Sequence, residues 1–398
     1  MDGGVAARVN ADPPERLRPV HILHLHSSFA LGGKEARAVR LMNLMRARAA
    51  HTILSAVPGA LGARDAIDSG IDVDFPADAP PLHGKPGLIR YGRLAHYMGR
   101  FDLVLTYNWG AMDGVMAHRL WAPFMRLPPL IHHEDGFNED ESIRRDWKRN
   151  LFRRLALPTV EALAVPSALL ERIAADEWGA RERTVVIRNG IDTASYEAPP
   201  SVAIPGLERR PGDVVIGTIA GLRKVKDLPR LVRAVATLPP NVRLVIVGEG
   251  PERDAIRAAA ATCGLAERLV MPGFMPEPAR WIGHFDLLAL SSLSEQAPIA
   301  VIEAMAAALP VVSPAVGDVT AMVSDMNRRF ITDDEAGFRA ALARMVGDGA
   351  LRRAVGEENR RVATEYFDES TMAAAYEKLY ARALEGYGLF SGRRIGVD

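Results

Sequence analysis

The stretch Phe285-Asp-Leu-Leu-Ala-Leu-Ser-Ser-Leu-Ser-Glu295-Gln-Ala-Pro298-Ile-Ala-Val-Ile-Glu303-Ala-Met-Ala-Ala-Ala-Leu-Pro-Val-Val-Ser-Pro-Ala-Val-Gly317 decides how this chain is built. Residues 287–290 are a short apolar run, expected as a buried strand, that opens into a polar loop carrying Glu295. Pro298 stands where the first turn of a helix tolerates it, because an amide there has no intrahelical acceptor. Glu303 follows in that helix. Free backbone N–H groups and the positive helix end therefore face the mouth of a strand, where a phosphate binds. The two carboxylates repel phosphate but accept hydrogen bonds from a sugar diol. The expected ligand contains both phosphates and sugars.

With 398 residues the chain exceeds one ordinary core, so two domains are expected. Lys plus Arg and Asp plus Glu balance at 49 each, which excludes the strongly basic profile of a dedicated nucleic-acid binder. A single cysteine, Cys263, excludes an internal disulfide or a cysteine zinc cage and fits a reducing compartment. Residues 1–18 are expected as a flexible tail without a signal-peptide core, and no apolar run reaches the ~20 residues of a membrane span. The expectation is a cytoplasmic protein.

Short apolar strands expected at 20–25, 52–56, 101–106, 130–133, 162–165 and 185–188 alternate with helical patterns such as 34–49. This rhythm predicts a parallel sheet covered by helices on both faces. After a Pro-, Ala- and charge-rich linker the rhythm restarts, with strands expected at 214–219, 243–247, 269–271, 287–290 and 311–312. Residues 228–237, 251–263 and 370–384 read as helices. The expected division is 19–194 for the first domain, 195–212 for the linker and 213–369 for the second. Two doubly wound halves imply a cleft between them.

Several constellations fall at strand ends. Arg223, Lys224 and Lys226 follow the first strand of the second half and suit a diphosphate. Gly32 and Gly33 follow the first strand of the chain, where glycine permits positive φ and close approach to a phosphate. His132 and His133 are adjacent in an expected strand, face opposite ways and do not share one ion. Asp72-Val73-Asp74 reads as an edge strand rather than a metal motif. Residues 144–154 form a basic helix with Trp147, Leu151 and Phe152 interleaved, either a solvated face or a contact for an anionic leaflet.

The Glu295–Glu303 stretch, with Glu-Ala-Met and Leu-Pro-Val-Val at its flanks, resembles the Glu-x7-Glu motif of retaining GT-B glycosyltransferases of family 4. Gln296 departs from the family, which most often has glycine there. Lys226 matches the family's lysine, whereas Gly221 stands at its usual arginine position and Arg223 lies two residues on. The Asn189-Gly-Ile-Asp192 turn resembles the family's hinge segment.

The resemblance implies two Rossmann-like domains facing across a cleft, with the C-terminal helix (370–390) crossing back to the first domain. It further implies metal-independent, retaining transfer of a sugar from a nucleotide-diphosphate sugar, with no cofactor. The acceptor it implies is a lipid-linked or cell-envelope glycan of exopolysaccharide or lipopolysaccharide biosynthesis. Glu295 is expected to hold the donor sugar, Lys226 and Arg223 the diphosphate, and His132 the sugar, on the acceptor side. Glu303 is expected on the ribose, with Gly32, Gly33, Gln296, Pro298 and Ile299 around the donor and Gly248 and Phe274 near the base. Such an enzyme works in the cytoplasm, peripheral on the inner face of the cytoplasmic membrane if residues 144–154 bind anionic lipid.

Two alternative classes are a nicotinamide-dependent oxidoreductase and a non-catalytic nucleotide-sugar-binding protein. The first wants Gly-x-Gly-x-x-Gly after a strand, but Gly248-Glu-Gly-Pro251 lacks the third glycine. The second is disfavoured by retention of both glutamates and Lys226.

Overall fold

A computed structural model of the chain describes residues 19–30, 32–137, 141 and 145–386. Among these residues, the first half forms a seven-stranded sheet. Its strands are β1 (Val20–His26), β2 (Ala49–Ser55), β3 (Asp72–Asp74), β4 (Leu103–Tyr107), β5 (Leu130–His133), β6 (Ala162–Val165) and β7 (Thr184–Val186). Helices α1 (Gly33–Met45), α2 (Leu88–Met98), α3 (Met112–Trp121), α4 (Trp147–Ala156) and α5 (Ala168–Asp176) cover it.

The second half forms a six-stranded sheet of β8 (Val214–Ile219), β9 (Val242–Val247), β10 (Leu269–Gly273), β11 (Leu287–Ala289), β12 (Val311–Pro314) and β13 (Ile331–Thr332). Around it lie α6 (Leu228–Ala236), α7 (Arg253–Thr262), α8 (Ile299–Ala306), α9 (Val319–Met322), α10 (Asp325–Arg328), α11 (Glu335–Gly347) and α12 (Gly349–Tyr366). A last helix, α13 (Glu369–Gly386), follows.

All pairings are parallel, and the central strands are buried on both faces, which is why they read as near-continuous apolar runs. The strand orders are β3-β2-β1-β4-β5-β6-β7 and β10-β9-β8-β11-β12-β13. Each sheet reverses its winding once, between β1 and β4 and between β8 and β11. A crevice opens beyond the strand ends at such a reversal, and it is the natural ligand position. The loops after β1, β4, β8 and β11 border these crevices.

The chain passes between the halves twice, and the two passages run side by side. Ile191 N donates to Phe367 O at 3.0 Å, and Glu369 N donates to Ile191 O at 2.8 Å. A Cβ on Gly190 would lie 2.9 Å from Asp368 O and from Met372 Cβ, so this close pairing needs glycine. Beyond the crossing, α13 returns to the first sheet. Met372, Tyr376, Tyr380 and Leu384 pack with Ile22, Leu105 and Ile131.

The structure differs from the sequence expectations at particular elements. Helix α1 ends at Met45 and β2 starts at Ala49, where a longer helix and a later strand were expected. Ala49-Ala50 is helix-favouring locally, but register with Val20-His21 buries Ala49 and overrides that preference. The inter-domain segment is also less open than its composition suggests, because Tyr196 and Ile204 are buried against the second core.

Candidate functional site

The loop leaving β8 makes a short 3-10 turn at Lys224–Lys226 and reaches α6 through Asp227, held left-handed at φ 39°. Leu293 N donates to Val225 O at 2.8 Å and Ser291 Oγ donates to Lys226 O at 2.8 Å, so this turn is pinned to the loop after β11. Across that seam Lys226 Nζ donates to Glu295 Oε1 at 2.6 Å. Ser292 Oγ donates to the same oxygen at 2.7 Å. Pro298, extended, is the N-cap of α8, which aims its first-turn amides at this region.

Glu303 lies further along α8. Its Oε1 accepts from Tyr196 Oη at 3.3 Å. Burial pushes its carboxyl up to about 7, and the Tyr196 hydrogen bond only partly opposes the shift. A carboxyl poised there switches between donating and accepting near neutral pH.

The facing wall comes from the first half. Asn108, left-handed at φ 56°, donates its amide to His133 O and accepts from Asp135 N, both at 2.8 Å. Arg37 of α1 grips Asp135 with both terminal nitrogens, the second at 2.9 Å, and also donates to Asn189 Oδ1 at 3.2 Å. Asn189 Nδ2 then reaches across to Ala297 O at 3.2 Å. A cavity of about 280 Å³ lies between the walls. Asn108, Asp135, Phe137 and Asn189 line one side, and Arg223, Lys226, Glu295, Gln296 and Pro298 the other.

Five of the twelve site residues singled out in the sequence gather here. Glu295, Lys226, Arg223, Gln296 and Pro298 line the cavity. Ile299 faces Gly33 across the cleft, with its Cδ1 3.5 Å from where a Gly33 Cβ would stand. Neither Gly32 nor Gly33 has a positive φ, contrary to one reason for expecting glycine there. A Cβ on Gly32 would meet only the carboxylate end of Glu35, at 2.9 Å, so neither φ nor backbone crowding demands glycine at these two positions. Glu303, further along α8, is not among the residues that line the cavity.

His132, Gly248 and Phe274 lie elsewhere. His132 is fully buried under the first wall, its Nδ1 2.8 Å from Thr106 Oγ1, while His133 points the other way to Tyr380 Oη at 3.0 Å. The cavity is reached from β5 by Asp135 instead. Gly248 (φ 136°) makes a close backbone approach within the protein, since a Cβ would fall 2.0 Å from Ala220 O. Phe274 is 66% exposed beyond β10, and Asp72 and Asp74 sit on edge strand β3.

Sequence reasoning missed Asp135, Arg37, Asn108 and Tyr196. The Glu134-Asp135-Gly136 run after two histidines was the available signal for Asp135; nothing local marks Tyr196. Among the described residues no group of three or more His, Cys, Asp or Glu side chains is placed to hold a metal ion.

Two family models match this chain: one described as Glycosyltransferase Family 4 over residues 31–195, the other as Glycosyl transferases group 1 over 204–362. The chain is 33% identical over 165 residues to a 2-deoxystreptamine glucosyltransferase of Streptomyces kanamyceticus, covering 38% of this chain and 42% of that protein. It thus spans under half the length of several curated relatives it matches. It is 24% identical over 365 residues to the lipopolysaccharide core biosynthesis glycosyltransferase LpsD of Rhizobium meliloti, covering 91% of this chain and 98% of that one. Among solved structures it resembles Anabaena HepE in complex with UDP, with a TM-score of 0.75 and 21% identity over 91% of this chain and all of that one.

Proposed function

The chain belongs to the GT-B glycosyltransferases of family 4, and from that premise we propose that its cleft transfers a sugar from a nucleoside-diphosphate sugar to a glycan or lipid-linked acceptor. The observation that carries this reading is the Lys226–Glu295 pair in a cavity shared by both halves. A donor diphosphate replaces Glu295 as the partner of Lys226. Glu295, released, then accepts hydroxyls of the donor sugar. Both halves of one ion pair are thereby used by one ligand.

Departure of the sugar leaves an oxocarbenium-like carbon and extra negative charge on the diphosphate. Lys226, Arg223 and the first-turn amides of α8 are placed to hold that charge, the role of a preorganised electrostatic site. Glu295 is engaged by Lys226 and Ser292, and the Asp135 carboxylate by Arg37. The likeness of the Glu295–Glu303 stretch to the Glu-x7-Glu pattern of retaining enzymes supports transfer with retention, in which the acceptor attacks from the leaving-group face without an enzymic nucleophile. Glu303 takes the ribose hydroxyls. The name of the Rhizobium relative supports a cell-envelope glycan as acceptor.

The test is calorimetric titration with a panel of nucleoside-diphosphate sugars in excess chelator, followed by NMR of the transferred anomeric centre. One donor is expected to bind and to keep its anomeric configuration in the product. Failure of every donor to bind overturns the function, and an inverted centre overturns retention. A pH signature accompanies binding. Glu303 accepts two ribose hydroxyls only when ionised, so donor affinity should fall as pH drops below about 7, approaching tenfold per unit. Glu303→Gln should bind more weakly at pH 8 and lose that pH dependence; a slope that survives in the variant belongs to another group.

We also propose that α4 rests on an anionic lipid surface, though by a different face than its sequence suggests. Arg145 bonds Glu177, Arg149 bonds Glu141, and Arg153 is buried between Glu141 and Glu134. Arg144 lies outside the described residues. Phe152 turns inward onto Trp109, ring centroids 5.6 Å apart. What faces out is a stripe of Trp147, Leu151 and Leu155, 69%, 50% and 46% exposed at helical spacing, flanked by exposed Lys148 and Arg154. No described helix is long and apolar enough to cross a membrane. Trp147→Ser with Leu151→Ser should cut sedimentation with phosphatidylglycerol vesicles about tenfold, and Lys148→Gln with Arg154→Gln should remove its salt dependence. Unchanged sedimentation in both would dismiss the attachment.

A further inference from the structure

Away from the cavity, the two halves meet at the start of α5. Ser167 precedes this helix, and its Oγ accepts from Leu170 N at 3.1 Å. The amides of Ala168 and Leu169 are satisfied from the opposite half. They donate to Oδ2 and Oδ1 of Asp318, at 2.6 and 3.1 Å. A helix start leaves its first amides without intrahelical acceptors, and a carboxylate there gains charge-assisted bonds and the favourable helix dipole. The helix cap is thus completed by a residue about 150 positions further along the chain.

Asp318 is equally bound to the loop carrying Glu295. Its amide donates to Gln296 O at 2.8 Å. Gly317 before it has φ 56°, and a Cβ there would lie 2.5 Å from the carbonyl oxygens of both Glu295 and Gln296. Backbone at 317–318 therefore lies flat against the donor loop, an approach only glycine permits. Any movement of Asp318 away from α5 pulls on Glu295 and Gln296.

We propose that Asp318 is a closure latch: a positioning residue that holds the two halves shut by capping α5 and passes closure to the donor loop. Its kinetic consequence rests on the sugar-transfer reading; its geometric consequence does not. With the latch made, Glu295 is fixed and water is kept from the activated sugar; with it broken, the cleft opens and hydrolysis competes with transfer.

The experiment breaks the latch from each side in the full chain. Asp318→Ala removes the acceptor. Ala168→Pro removes a donor at the first helical position, where proline is tolerated, and Ser167 is already extended (φ −142°, ψ 150°), as a residue before proline must be. Spin labels at Glu182→Cys and Arg257→Cys, with Cys263→Ser, report the distance between the halves. Both latch variants should shift that distribution to longer, broader distances. With a bound donor, both should lower kcat/KM for transfer about tenfold and raise the ratio of donor hydrolysis to transfer.

Unchanged distances in both variants overturn the latch. Longer distances with an unchanged hydrolysis ratio overturn its catalytic consequence. Longer distances in a protein that binds no nucleoside-diphosphate sugar uphold the latch and overturn the transfer reading instead.

Discussion

Lys226→Ala is expected to lower kcat for sugar transfer by about 10²–10³ and to weaken binding of the free nucleoside diphosphate. The lysine side chain lines the cavity from the second half, and its ammonium already holds one anion at 2.6 Å. Charge builds on the leaving diphosphate as the glycosidic bond lengthens, so a cation placed there stabilises the transition state more than the ground state. Lys226→Arg should recover only part of the activity, because a planar guanidinium cannot occupy the position of a compact ammonium beside Ser292 and Glu295. Glu295→Gln should behave in the opposite way toward the product. It removes the anion that competes for Lys226, so nucleoside diphosphate binds at least as tightly while transfer falls. Calorimetry with the diphosphate alone and steady-state kinetics with the donor separate the two roles. If Lys226→Ala binds the diphosphate normally, the phosphate assignment of this lysine is wrong.

Lowering the pH from 6.5 to 5.5 is expected to remove roughly 3 kcal/mol from the stability of the first half, about 1 kcal/mol for each of three buried histidines. His24 Nε2 lies 3.0 Å from His51 Nδ1, and His24 Nδ1 lies 3.1 Å from Tyr107 Oη. His133 stacks on Tyr107 (ring centroids 4.6 Å) and meets Tyr380 of α13. Burial is the main cause that lowers their pKa values, reinforced by neighbouring histidines and, for His133, by Arg37; His51 falls to about 4. In the unfolded chain each titrates near 6.5.

The unfolded state therefore binds protons that the folded state refuses. The stabilisation is complete above pH 6.5, starts to fall there, and continues to fall until the folded pKa is reached. Urea unfolding at several pH values measures it, and hydrogen exchange should show α13 loosening early, because His133 packs against its tyrosines. A stability flat between pH 7.5 and 5.5 would show that these histidines charge without cost in the folded protein.

The sequence made much of this legible because the relevant information was local. An apolar run of strand length, a polar loop and a proline at a helix start are written within one stretch, so β11, its loop and α8 follow from 287–306 alone. Strands buried on both faces announce themselves as continuous apolar runs, which made the parallel sheets predictable. Local propensity misled only where pairing overrode it, as at Ala49, and the tail of helices α11 and α12 was not singled out because their patterns carry no motif.

Around the cavity the limits follow the same rule. Glu295 and Lys226 were found because each sits just past a strand end in its own segment; that they touch is a fact about the seam between two loops. Phe152 and Leu155 could not be sorted into inner and outer faces until Trp109 was seen to take the ring of Phe152. Helical spacing places a residue on a face but does not say what that face meets.

The sequence by itself determined the parallel α/β build and the two-part organisation, and it set the expectation of a phosphate- and sugar-binding loop at Glu295. Only the tertiary structure brought Arg37 onto Asp135, Tyr196 onto Glu303 and Asp318 onto α5, pairs separated by 98, 107 and 150 residues. Periodicity and propensity act between near neighbours along the chain. An ion pair within one half depends on how its elements pack, and a helix cap completed from the far domain on where two sheets come to rest against each other; no spacing within either segment encodes those positions.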